Sequence, residues 1–226
     1  MKITDSYPAI FNHVATVSCD NGSKCLWTVS ENSPTSKIQQ LRVSFRANDY
    51  LCLDERATKQ MPDITTSRTS HFKDDECDGI GIFTTDNCTK IVFVDLKSNF
   101  DATKIQHGFS QNLASLIKLH SMMSLCDGYS LADLAVEFVV ACCCFQDEDK
   151  ETKTMDWMLR QRTSDPNSFV AQVAYPLYNK GSIEIKLGDF PQLLSLPINP
   201  YLYDKKVKLT LLLSANYSDN YVDYSL

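Results

Sequence analysis

CDGIGIFTTDNCTKIVFVDLKS, residues 77–98, decides how the chain is to be read. Two runs rich in Ile, Val and Phe, 78–85 and 89–97, flank a polar turn at Asp86-Asn87, which predicts a β-hairpin. Strand side chains alternate faces, so Ile91, Phe93, Asp95 and Lys97 share one side and Val92, Val94 and Leu96 the other. Asp95 and Lys97 then stand about 7 Å apart along the strand, twice the rise per residue. Asp78 shares a face with Ile80 and Ile82, and a turn centred on 86–87 sets it beside Asp95.

Two carboxylates and an ammonium at the end of an apolar hairpin are costly, because like charges repel and burial disfavours ionisation. A divalent cation would resolve the conflict. Mg²⁺ is commonly held by one or two carboxylates plus substrate phosphate. Lys97 would activate or orient a water and stabilise phosphate charge.

Outward from the hairpin, Asp101 N-caps a helix expected over 101–125, with Leu113, Leu116, Ile117 and Leu119 at helical spacing and Asp127-Gly128 as its end. AVEFVVACCCF (135–145) reads as a buried strand. Upstream, QLRVSFRA (40–47) alternates as a half-buried strand. The first forty residues have no clear pattern, and 48–76 reads as polar loop with a short helix near 54–60. Downstream, QDEDKETK (146–153) marks a surface break. FVAQVAYPLY (169–178) and SIEIKL (182–187) read as strands around a hairpin turn at Asn179-Lys180-Gly181. A loop spans 189–200, and KKVKLTLLLSANY (205–217) is a last strand. The order gives an α/β (α+β) mixture.

Asp78, then Asp95-Leu96-Lys97, on two hairpin strands with a helix directly after, resembles the PD-(D/E)xK (restriction-endonuclease-like) nuclease superfamily. The resemblance covers about residues 40–145, with Cys77 where the motif name has Pro and Asp95 where Glu is more usual. It implies a mixed central sheet flanked by helices, as a nuclease-like core over 1–150, and leaves a β-rich elaboration over 151–226 packed on the same sheet. It implies metal-dependent cleavage of nucleic-acid phosphodiester bonds, with Asp78 and Asp95 ligating Mg²⁺ (or Mn²⁺) and Lys97 positioning the attacking water. Members often carry a helix Gln, for which Gln111 is preferred over Gln106. They also carry an acidic residue from a leading helix, for which Glu55 is preferred over Glu31 and Glu76. By the same analogy the substrate is nucleic acid, DNA before RNA. The setting is a microbial defence or DNA-processing system with an ATPase or other protein partner, and the protein is a homodimer. The alternative is a non-catalytic, nuclease-like interaction subunit of a multiprotein complex.

Bulk properties narrow the field. The 226 residues are 43% hydrophobic, 22% charged and 10% aromatic, which excludes disordered and collagen-like chains. A net charge of −6 excludes a nucleic-acid coat protein, though a local basic groove is compatible with it. Nine Cys without CxxC spacing, no apolar leader in MKITDSYPAIF and no long apolar span point to a cytoplasmic protein with buried free thiols and no membrane contact. The four His show no zinc-ligand spacing, and His107 and His120, thirteen apart, would face different ways. Glu184-Ile185-Lys186 repeats the ExK pattern but sits in an ordinary polar-out strand with no helix after it. Arg42, Arg46, Arg56, Lys59, Arg68 and Lys73 form one basic set for nucleic-acid contact, and Lys150, Lys153, Arg160 and Arg162 a second. Tyr217, Tyr221 and Tyr224 read either as a docking tail or as a frayed acidic end.

Overall fold

Two mixed sheets organise the computed structural model, which describes residues 14–20, 24–31, 33, 35–59, 76–127, 129–190, 193 and 199–226. The smaller sheet has the order β1-β2-β3-β10, built from β1 (Val17–Cys19), β2 (Cys25–Ser30), β3 (Gln40–Phe45) and β10 (Tyr221–Ser225). The larger has the order β4-β5-β6-β7-β9-β8, from β4 (Asp49–Leu53), β5 (Gly79–Thr84), β6 (Thr89–Lys97), β7 (Leu134–Cys142), β8 (Ser182–Lys186) and β9 (Lys206–Leu213). The helices are α1 (Glu55–Lys59), α2 (Ala102–Met123), α3 (Glu148–Ser164), α4 (Tyr175–Lys180) and α5 (Pro200–Asp204).

The opening stretch forms the antiparallel β5–β6 hairpin, closed by Thr85 N–H donating to the Cys88 carbonyl at 2.9 Å. β4 pairs antiparallel on the far side of β5. The chain then crosses over through α2, and β7 lies parallel to β6, with β9 parallel to β7. α2 starts at Asp101, whose carboxylate accepts the Thr103 and Lys104 N–H groups and so satisfies two donors that a helix start leaves open.

Period-two alternation along β6 separates two cores. Ile91 and Phe93 face α2 together with Ile105, Phe109, Leu113 and Leu116. Val92, Val94 and Leu96 face the smaller sheet, meeting Trp27, Leu41 and Val43. Each fully buried side chain of this kind contributes about 1.5–3 kcal/mol, so both faces of the hairpin are fixed and a one-residue slip is prohibitive. Glycine allows the sheets to approach: a Cβ on Gly81 would lie 2.8 Å from the Trp27 ring.

Five expectations are corrected. The charged run 146–153 is not a surface break but the entry to α3, N-capped by Asp147 and carrying the Asp149–Lys153 pair one turn on. FVAQVAYPLY is not a strand: a π-helical turn, Val170–Ala174, runs into α4. Asn179-Lys180-Gly181 is accordingly a helix end rather than a hairpin turn. Gly181 takes φ +72° and its N–H donates to the Leu177 carbonyl at 2.7 Å, the left-handed stop that glycine adopts without a Cβ penalty. The C-terminal stretch is not frayed: β10 pairs in parallel with β3. Lastly, Cys19 and Cys25, opposite each other in β1 and β2, form a disulfide, so not all cysteines are free; Cys52, Cys77, Cys142 and Cys143 are buried thiols, whereas Cys88 is exposed. Among the described residues no helix is long and apolar enough to cross a membrane.

Candidate active site

Register brings the three charged residues together. Gly79 pairs with Val94, so residue 78 stands opposite residue 95, and Asp78 N–H donates to the Val94 carbonyl at 2.9 Å. The Asp78 carboxylate, through Oδ2, accepts the Leu96 N–H at 2.6 Å. Asp95 is 1% exposed on the α2 side of β6. α2 approaches it at Gly108, where a Cβ would lie 2.6 Å from Asp95 Oδ2, so only glycine leaves the carboxylate room.

Lys97 Nζ is 2.6 Å from Asp95 Oδ2 and donates to Gln111 Oε1 at 2.6 Å. The Gln111 amide is oriented by its other end, where Nε2 donates to the Glu76 carbonyl at 3.0 Å. Two more side chains of α2 hold the same lead-in to Asp78. Ser115 Oγ accepts the Cys77 N–H at 2.9 Å, and the buried Lys118 ammonium reaches Glu76 Oε1 at 2.8 Å. Gln111, Ser115 and Lys118 are spaced i, i+4, i+7 and so form one stripe down the helix. Sequence reading picked out only Gln111. The polar stripe interrupting an apolar helix face was the available signal for Ser115 and Lys118.

Electrostatics set this corner apart. Burial, and then the Asp95 charge, push the Asp78 carboxyl above the ordinary carboxylate range. Burial also raises Asp95, against the lowering effect of Lys97. Burial thus favours keeping a proton on the pair, and Lys97 balances the charge that remains. Asp95 Oδ2 has the Lys97 ammonium 2.6 Å away as its partner. A hard cation at the pair would take the place of the proton that burial favours there. Among the described residues no three His, Cys, Asp or Glu side chains form a group able to hold a metal. A cation at Asp78 and Asp95 would therefore draw its remaining ligands from water and substrate oxygens, the habit of Mg²⁺.

The other sequence candidates separate. Glu55 opens the short helix α1, after β4, but its side chain lies outside the described residues. Glu31, at the end of β2, lines a cavity with Lys97, and its charge acts on both Asp78 and Asp95. Glu76 is engaged by Lys118 and Gln111. Gln106 accepts Ser110 Oγ at its backbone carbonyl, one turn before Gln111. His107, exposed on α2, lines the Lys97 cavity, while His120 pairs with the Tyr129 hydroxyl at 3.1 Å. Glu184 lies on the edge strand β8, paired with Lys206 at 2.8 Å and remote in topology from β6. Of the basic sets, Arg42 is tied to Asp223 at 2.9 Å and Lys153 to Asp149, while Arg68 and Lys73 lie outside the described residues.

A second buried carboxylate went unnoticed in the sequence. Glu137, 1% exposed on β7 between the sheets, accepts Thr210 Oγ1 at 2.5 Å, Tyr224 OH at 2.7 Å and Lys208 Nζ at 2.8 Å. Burial alone would raise its pKa, but these donors and Lys90 outweigh burial and lower it. Its bonds are satisfied, and it ties β10 to the larger sheet.

No protein-family model, curated protein or solved structure matches the chain.

Proposed function

We propose that the protein is a metal-dependent nuclease with a restriction-endonuclease-like core, hydrolysing nucleic-acid phosphodiester bonds at Asp78, Asp95 and Lys97. One observation carries the reading: two carboxylates whose ionisation burial disfavours share one corner with a single lysine, whose ammonium lies 2.6 Å from Asp95 Oδ2. The surrounding topology supports it. An antiparallel β4–β5–β6 meander, the α2 crossover and a parallel β7 bring Asp78 at the start of β5 beside Asp95 and Lys97 at the end of β6.

In this reading Asp78 and Asp95 hold Mg²⁺ or Mn²⁺, which when bound supplies Lewis-acid stabilisation of phosphate charge and lowers the pKa of a bound water. Lys97, held by Asp95 and oriented by Gln111, places an ammonium where negative charge grows on the phosphate. Gln111 keeps the lysine from swinging into solvent. A partner protein, a defence setting, DNA as substrate and a homodimer belong to the same proposal and rest on the resemblance alone.

The test is incubation with plasmid DNA, single-stranded DNA and RNA in Mn²⁺ or Mg²⁺, with Asp95→Ala and Lys97→Ala alongside. Metal-dependent cleavage by wild type, lost in both variants, is the expected result. A second reading, a non-catalytic interaction subunit on the same fold, is favoured by the Asp95–Lys97 ion pair at 2.6 Å, which balances the buried carboxylate without a metal. It requires that no divalent cation binds and that Asp95→Ala alters stability alone.

A further inference from the structure

β1 is the shortest strand of the smaller sheet and one of its edges, and it is also a seam to the larger sheet. Val17, Ser18 and Cys19 pair with Trp27, Leu26 and Cys25 of β2. Just before them, Ala15 N–H donates at 2.7 Å to the carbonyl of Cys52 on β4, an edge strand of the larger sheet. Ala15 and Val17 pack against the core between the sheets. Residues 14–19 thus form a strap that joins two sheet edges.

The strap is lightly held. Val14, Thr16, Ser18 and Cys19 are exposed, and Ala15 and Val17 are only half-buried. A segment with so few buried apolar contacts opens readily by local unfolding. Its covalent hold is the Cys19–Cys25 disulfide, across a sequence separation of 6. Cys25 is buried, but Cys19 stands exposed, with Sγ 3.5 Å from the Tyr50 hydroxyl. Among the described residues the other seven cysteines are free thiols. Exposed disulfides are the labile kind that a reductant reaches.

The strap also walls a cavity. This space, of about 390 Å³, is lined by Ala15 and Thr16 from the strap and by Trp27, Ser30, Arg56 and Asp78. Trp27 has no solvent contact of its own, and Asp78 is half-buried. On the far side of the pair, α2 closes on Asp95 at Gly108. The approach to the carboxylates from the Asp78 side is therefore bounded by a short segment that one disulfide ties down.

We infer that the Cys19–Cys25 disulfide is a redox latch: a dithiol reductant that cleaves it releases the strap from β2 and β4 and opens the cavity at Asp78. The step is thiol–disulfide exchange. A thiolate of the dithiol attacks the Cys19 sulfur, the Cys19–Cys25 bond breaks, and Cys25 leaves as a thiolate that takes up a proton. The second thiolate of the dithiol then displaces Cys19 from the mixed disulfide, and Cys19 is protonated in turn. Two electrons and two protons pass to the protein, and the dithiol becomes a disulfide. An oxidised disulfide reverses each step and closes the strap. The latch governs access to Asp78 and stands apart from the reaction carried out there.

Trp27 reports on the cavity. The chain has two tryptophans, and Trp157 is exposed on α3, so Trp157→Phe leaves Trp27 as the sole fluorophore of its kind. In that background, acrylamide quenching and amide exchange read by NMR are compared in the oxidised protein, after reduction with dithiothreitol, after reoxidation with oxidised glutathione, and in Cys19→Ser/Cys25→Ser. Reduction is expected to speed exchange of the Ala15 amide about fiftyfold, the constraint lost with so short a ring. It should raise the quenching constant severalfold and reversibly, with exchange in β6 unchanged, and the double variant should match the reduced protein. Equal exchange and quenching in oxidised and reduced protein overturns the inference. A rise that spreads to β6 overturns it too, because the disulfide is then a staple of the whole fold. The reduced protein decides the matter even where the double variant fails to fold.

Discussion

The Asp78 carboxylate is held by the strand that carries its rival: Oδ2 accepts the Leu96 N–H at 2.6 Å, between Asp95 and Lys97. The hairpin thus fixes two carboxyl groups beside each other. Without a cation, ionising both destabilises the fold, so Asp78→Asn should stabilise the metal-free protein above the raised carboxyl values, whereas Asp95→Asn also strips Lys97 of its ion pair and should destabilise it. The asparagine at 78 can still accept the Leu96 N–H. A gain of about 1 kcal/mol would raise Tm by roughly 2–4 °C in a chain of this size. Thermal unfolding in chelator checks it, and a fall in Tm for Asp78→Asn would show its carboxylate to be net stabilising.

The same pair sets a pH dependence. Native carboxyl pKa values raised above the unfolded value mean that the folded state binds more protons, so this contribution to stability falls as pH rises. It is fully present below the unfolded value, about 4, and lost as pH climbs through the raised native values. A cation must displace those protons, so Mn²⁺ affinity should increase with pH across the same window. Calorimetry in buffers of different ionisation heat would count the protons released. Release of none would contradict the shared protonation.

Gln111 and Lys118 act on different ends of one network. Gln111→Leu removes the acceptor for Lys97 while keeping the helix, and should lower kcat about tenfold with little change in Tm. Lys118→Met keeps the buried volume but strands Glu76, which accepts its ammonium at 2.8 Å. It should weaken Mn²⁺ binding by displacing Asp78, and Lys118→Arg should restore part of the loss. Titration of the two variants separates positioning from simple unfolding.

Glu137 has the opposite sign from the Asp78–Asp95 pair. Its lowered pKa means that its contribution is present above the ordinary glutamate value and lost as pH falls through the native one. Glu137→Gln removes the charge facing Lys208 and Lys90, both of which reach solvent, and should cost about 1–2 kcal/mol. Tyr224→Phe removes one hydrogen bond to it and should cost about 1 kcal/mol. Urea denaturation measures both, with metal binding unchanged.

The hairpin, the Asp78–Asp95 register and the Asp101 cap were legible because each rests on local chemistry: alternation, a polar turn and a capping carboxylate. The smaller sheet was not. β10 pairs with β3 across 181 positions, Tyr221 to Gln40, and no local pattern in either segment encodes that meeting. FVAQVAYPLY misled because Phe, Val and Tyr favour strands in isolation. Its Ala171, Ala174 and Leu177 recur at helical spacing and bury against the larger core, and tertiary burial overrides propensity. In the site, Gln111 was picked out only through the resemblance, its depth in the helix setting it above Gln106. Ser115 and Lys118 serve through backbone and buried contacts that appear only once residues 76 and 77 are set against α2.

The most direct test of the central claim is Mn²⁺-dependent cleavage of DNA by wild type, Asp95→Ala and Lys97→Ala, with Mn²⁺ binding measured on the same preparations. The account predicts that wild type binds and cleaves, that Asp95→Ala does neither, and that Lys97→Ala binds metal without cleaving. Cleavage persisting in both variants, or wild type that neither binds Mn²⁺ nor cuts, would contradict it.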